Sequence, residues 1–175
     1  IRRNLQTLCT ALDVTYDLAE DEARAQQALR HAKALLGDTE IAIDYTATPA
    51  PMSLARCLIE HGLRVSRIYA DSIAAGDLDD FRWLQEHAPD LSLYATVEVK
   101  LRVLPRRTER PMLAIGQKAA YFTGTRHFMN IVEGGGMYGF DGICRLCARI
   151  EEAFLTARDP RNYIQQKGLG CESCL

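Results

Sequence analysis

"RPMLAIGQKAAYFTGTRHFMNIVEGGGMYGFDGI", residues 110–143, holds two apolar runs, a helical segment between them and seven of the chain's twelve glycines. "RPMLAIG" (110–116) reads as a strand closed by glycine, "QKAAYF" (117–122) as a helical turn, and "HFMNIV" (127–132) as a second strand. Short apolar runs bounded by turn residues have the length of buried strands. Three consecutive glycines, Gly134, Gly135 and Gly136, then precede a helix expected over residues 141–156. Two strands joined through a helical segment predict parallel pairing, with helices packed on the sheet.

The same alternation extends upstream. Residues 20–37 place acids before bases, which complements the helix dipole, and end on glycine. A strand over 41–45 follows. Residues 51–62 read as a helix opened by Pro51, with Leu54, Leu58 and Ile59 on one face. A strand over 65–69, a helix over 77–90 stopped by Pro89, a strand over 91–99 and a short helix over 100–107 complete the series. The predicted fold class is α/β: three layers, with a mostly parallel sheet of about five strands and helices on both faces. It is expected to occupy residues 1–157, leaving 158–175 as a C-terminal tail. Right-handed crossovers set the C-terminal ends of the strands along one edge. Ligands in such sheets bind beyond that edge, at a switch in strand order.

Composition bounds the function. The chain has 175 residues, 47% hydrophobic and 25% charged, which suits one globular domain with a core. The formal net charge is −2, and the basic clusters (Arg2 with Arg3, and Arg106, Arg107 with Arg110) are too small for a nucleic-acid surface. No run approaches the roughly 20 apolar residues of a membrane span, and no apolar leader is visible. These features predict a cytoplasmic protein with neither nucleic acid nor membrane as partner. The opening residue is Ile1, not Met, which suggests a piece of a longer protein. Six cysteines, at 9, 57, 144, 147, 171 and 174, are expected to be reduced.

Gly134, Gly135 and Gly136 are expected at the ligand-binding edge. Without Cβ atoms they allow positive φ and close approach of a bulky ligand. Asp141 is placed to cap the following helix. The spacing matches neither GxGxxG nor a Walker loop, so no nucleotide motif is present, and a glycine-rich turn of unusual shape is the plain alternative. Glu133 is a candidate proton donor or cofactor contact, or else a solvent-facing turn carboxylate. Lys118 and Arg126 are candidates to hold an acidic cofactor group by charge-assisted hydrogen bonds, or else surface cations. Asp44, Tyr45, Thr46 and Thr48 follow the first strand and should edge the same cleft. No residue is assigned a catalytic role.

The passage "AIGQKAAYF" followed by "GGMYGFDGI" resembles the C-terminal Rossmann-like domain of the nitrogenase component 1 family, through Gly116, Lys118, Tyr121, Phe122, Gly139, Phe140, Asp141 and Gly142. That family includes the catalytic subunits, cofactor-assembly scaffold relatives, and protochlorophyllide and chlorophyllide reductases. The resemblance implies a multi-domain oxidoreductase that pairs with a related or identical subunit. It also implies electrons from an ATP-dependent iron–sulfur reductase, and an iron–sulfur or related metal cluster in the full-length protein. The sheet edge would enclose that cluster or a tetrapyrrole. The family's N-terminal cluster cysteines have no counterpart here. A family histidine before the glycine turn ligates the metal cofactor; counting back from Gly139 puts Met129 at that position, with His127 two residues away on the same strand face. His127 is therefore a candidate metal ligand, or a plain strand-end histidine.

Four of the cysteines form two Cys-x-x-Cys pairs. Ile143, Cys147, Ile150 and Phe154 share a helical face, which makes Cys147 a core residue, with Cys144 one turn away. Cys171 and Cys174 lie in a polar, glycine-preceded end, where they supply half of a zinc or iron–sulfur site, or a redox pair, or exposed thiols. Two further readings stay open for the chain as a whole: a non-catalytic ligand-binding or docking domain, and a zinc-stabilised structural module.

Overall fold

Parallel strands require crossover connections, and the chain supplies them in order. The computed structural model describes residues 1–103, 108 and 110–160. Among these the strands are β1 (Glu40–Asp44), β2 (Arg64–Ala70), β3 (Ser92–Ala95), β4 (Met112–Ile115) and β5 (Phe128–Met129). They form one sheet in the order β3-β2-β1-β4-β5, with every pairing parallel. The helices are α1 (Arg2–Ala11), α2 (Ala19–Leu36), α3 (Pro51–Glu60), α4 (Leu78–His87), α5 (Gln117–Thr123) and α6 (Gly139–Leu155). The chain winds outward from β1 to β3, returns to lay β4 on the other side of β1, and continues to β5. The order therefore switches between β1 and β4.

Pleat periodicity divides the core. Ile41, Ile43, Leu113, Ile115 and Met129 face one side, where they pack against α2, α3, α4 and α6. Ala42, Met112, Ala114 and Phe128 face the other, under Ala119 and Ala120 of α5. A register shift between Ile41 and Ala42 lets Val65 and Ile68 of β2 share the first side, although strict alternation would separate them. On the second side Tyr69 stacks between Tyr94 and Phe122, each at 5.1 Å between ring centroids. Helices thus cover both faces, as expected.

Four elements differ from the sequence expectation. α1 adds a helix ahead of residue 20, where the expected series of elements begins. β3 stops at Ala95 because Glu98 N–H closes a turn onto the Ala95 carbonyl, and a 3-10 turn, Val99–Arg102, replaces the short helix expected there. β5 is two residues long, and Asn130 just after it accepts from Gln117 at the start of α5. Among the described residues no helix is long and apolar enough to cross a membrane.

Candidate functional site

The ends of β1 and β4 meet at the switch point through one carboxylate. Asp44 closes β1 and is fully buried. Its Oδ1 accepts from Thr46 N–H (2.8 Å), the Thr46 hydroxyl (2.5 Å) and Ala47 N–H (3.2 Å), while Oδ2 accepts from Ala119 N–H (2.7 Å). Asp44 therefore shapes the turn after β1 and holds the first turn of α5 against it. Burial pushes its carboxyl up, and the hydrogen bonds from Thr46, Ala119 and Ala47 pull the other way. Gly116, between β4 and α5, has φ +108, and a Cβ there would lie 2.2 Å from Asp44 Oδ2. Only glycine fits between strand end and carboxylate.

Beside this joint, Lys118 Nζ donates to the Tyr45 hydroxyl at 2.5 Å and sits 4.7 Å from the centre of the Tyr45 ring. Among the described residues Lys118 has no carboxylate within ion-pair distance, and it is half-buried. A cation with no ion-pair partner is thus fixed at the sheet edge by hydrogen bond and cation–π contact. Gln117 is buried; its Nε2 donates to Asn130 Oδ1 at 2.5 Å, which bridges the ends of β4 and β5. Its Oε1 is buried with no hydrogen-bond partner.

The glycine loop crosses the same edge. Glu133, Gly134, Gly135 and Gly136 follow one another with φ of 50, 76, 55 and 73°. Glu133 N–H donates to the Thr46 carbonyl at 2.8 Å, and Gly134 N–H to the Ala47 carbonyl at 2.6 Å. The segment after β5 is thereby tied to the turn after β1, across the end of β4. The Glu133 side chain is exposed. α6 begins at Gly139 after Tyr138, and no side chain caps it. Asp141 does not take the capping role expected of it; it sits in the first turn and pairs with Arg145 at 2.9 Å. Gly142 is required for a different reason than flexibility: a Cβ there would lie 2.5 Å from the Met137 carbonyl carbon.

The structure brings Lys118, Glu133, Gly134, Gly135 and Gly136 to one edge, but does not bring His127 or Arg126 there. The ring of His127 approaches the Ala153 carbonyl (3.2 Å) and Phe154 near the end of α6. Ala153 lies about 20 Å along α6 from Gly139 at 1.5 Å per residue. Arg126 is exposed, and its carbonyl accepts from Arg158 N–H at 2.7 Å. Met129, at the family's histidine position, is buried in the core. Sequence reasoning missed the Asp44–Gly116 contact and the Gln117–Asn130 bridge; the one signal for either was the glycine that closes β4.

To hold a metal cluster alone, the described residues would have to converge several thiolate, imidazole or carboxylate ligands. Among them no group of three or more His, Cys, Asp or Glu side chains is arranged to hold a metal ion. Cys147 is buried between helices, and burial pushes its thiol up to about 12. It packs as a core residue, with its thiol protonated at neutral pH. Cys171 and Cys174 lie outside the described residues. The polar side chains that the described residues place at this edge are those of Tyr45, Gln117, Lys118 and Asn130.

The all-parallel sheet with its switch between β1 and β4, and the glycine loop crossing the strand ends, define a Rossmann-like α/β domain. Nitrogenase Cp1 at pH 6.5 has a solved chain that superposes with a TM-score of 0.63 at 14% identity, covering 88% of this chain and 37% of that one. At that identity the likeness establishes the fold. The chain thus spans little more than a third of the solved chain it matches. No family model matches the sequence, and no curated protein does.

Proposed function

We propose that this chain is part of a nitrogenase component 1-like oxidoreductase and forms one wall of a site that encloses a metal cluster or a tetrapyrrole. The observation that carries this reading is the tie between the glycine loop and the turn after β1, which roofs the switch point beside Lys118. In this reading the cluster's metal ligands come from the rest of the longer protein or from a related subunit, and electrons arrive from an ATP-dependent iron–sulfur reductase. This domain supplies shape and the Lys118 ammonium for an acidic group. The absence of a ligand set among the described residues also favours a second reading, a ligand-binding domain for an organic anion without metal.

Both readings place a negative group against Lys118. Lys118→Ala, made in a longer protein that carries the bound group, is expected to lower retention of that group at least tenfold. Thermal unfolding of the domain should stay within about 1 kcal/mol, because a half-buried surface cation contributes little to folding. Visible absorbance and iron content after gel filtration give the readout. Retention equal to the unaltered protein contradicts the proposed wall.

A further inference from the structure

Lys118 stands where helix energetics do not favour a cation. It is the second residue of α5, and the unpaired amides of a helix's first turn disfavour positive charge. It is half-buried, and no carboxylate among the described residues offsets its charge at ion-pair distance. Its hydrogen bond goes to the Tyr45 hydroxyl, which no sequence motif marks and which is half-buried beside it. The direction of that bond sets what the pair offers. An ammonium has three protons and no acceptor, so the phenol oxygen accepts and its own O–H points elsewhere. Among the described residues nothing accepts that O–H, nor the two remaining ammonium protons. The pair therefore presents donors only, on two atoms 2.5 Å apart.

Both side chains are fixed through one carboxylate. Tyr45 follows Asp44, and its N–H donates to the Tyr69 carbonyl at 2.9 Å, one residue past the end of β1. On the other side Ala119, the neighbour of Lys118, donates its N–H to Asp44 Oδ2 at 2.7 Å. Asp44 is buried and accepts four hydrogen bonds, so the backbones that carry Tyr45 and Lys118 keep a set separation. Donors held in place before a ligand arrives are what a binding site on rigid elements requires.

We propose, on the reading of Lys118 given above, that Tyr45 is the second contact of the site. It holds the Lys118 ammonium at the sheet edge and donates its own O–H to the acidic group that Lys118 binds. The bound group then has an oxygen acceptor for each of the two donors. Exchange of the phenol for a phenyl ring removes one donor and frees the other, and leaves the positive charge in place.

Two measurements on Tyr45→Phe test the two roles. In this chain, brief acetylation with acetic anhydride and peptide mass spectrometry compare Lys118 with Lys100, which is exposed. Loss of the phenol oxygen is expected to raise Lys118 labelling relative to Lys100 roughly threefold or more, with the circular dichroism of the chain unchanged. In a longer protein that carries the bound group, Tyr45→Phe is expected to lower its retention roughly tenfold. Combined with Lys118→Ala, it should cost less than the product of the two single losses, because residues that share a hydrogen bond are coupled. Lys118 labelling that Tyr45→Phe leaves unchanged overturns the positioning role. Retention kept in Tyr45→Phe and lost in Lys118→Ala overturns the phenol contact and leaves the Lys118 wall standing. Retention kept in both variants overturns that wall, and the phenol contact with it.

Discussion

Gly116→Ala is expected to destabilise the domain by more than about 3 kcal/mol, and Gly134→Ala by only about 1–2 kcal/mol. Both glycines have positive φ, +108 and +76, so both alanines pay for an unfavourable backbone. The surroundings differ. A Cβ at Gly134 meets nothing within 4 Å, while a Cβ at Gly116 falls 2.2 Å from a carboxylate oxygen that is itself buried and hydrogen-bonded. Asp44 cannot retreat without releasing Ala119 N–H or the turn after β1, so the clash is resolved only by parting β1 from α5. At roughly 2–4 °C per kcal/mol for a chain of this size, Gly116→Ala should lower Tm by some 6–12 °C or more. Equal losses in the two variants, measured by urea unfolding, would show that the joint at the switch point is not as tight as described.

Asp44→Asn probes the same joint from the other side. The side-chain oxygen of asparagine can still accept from Thr46 and Ala47, but its amide nitrogen then faces the Ala119 N–H, donor against donor. One buried donor loses its partner and another is added, which costs about 2–3 kcal/mol. The pH dependence has a definite sign. Burial raises the Asp44 carboxyl above its ordinary value, so the folded chain holds a proton that the unfolded chain releases. The contribution of that group is fully present below the ordinary aspartate pKa of about 3.9 and is lost as pH rises through the folded value. Asparagine does not titrate there, so the stability gap between the two proteins should narrow as pH rises above about 4. A gap that widens over that range would contradict the assignment of burial as the dominant influence on Asp44.

The sheet was readable because each of its central strands is an apolar run bracketed by glycine, proline or a charged turn. Ile41 to Ile43 and Met112 to Ile115 are examples, and their pleat alternation matches the two cores. α1 was missed although Ile1, Leu5, Leu8 and Leu12 recur at helical spacing. Its first turn has no acid and its cap position is Ile1, so the start signals were lacking. Packing of Leu5 on Phe140 and the Arg2–Glu22 pair, neither visible along the chain, hold it in place. The site was half readable. Glycines before a helix pointed to the strand ends, and Lys118 came with the family resemblance, but the contact between Asp44 and Gly116 joins residues far apart in sequence. His127 shows the limit of face without height. It shares a strand face with Met129, yet a two-residue step of about 6–7 Å directs it to α6 instead of the glycine loop.

The central claim is that this domain encloses a site whose metal ligands lie elsewhere. Anaerobic iron and acid-labile sulfide analysis with a visible spectrum, on this chain and on a longer protein containing it with its related subunit, tests that claim most directly. The account predicts iron with sulfide in the longer protein only. Iron in this chain that survives replacement of both Cys171 and Cys174 by serine would contradict it, because the described residues would then ligate a cluster. The absence of iron from both would remove the cluster from the account and leave the organic-ligand reading.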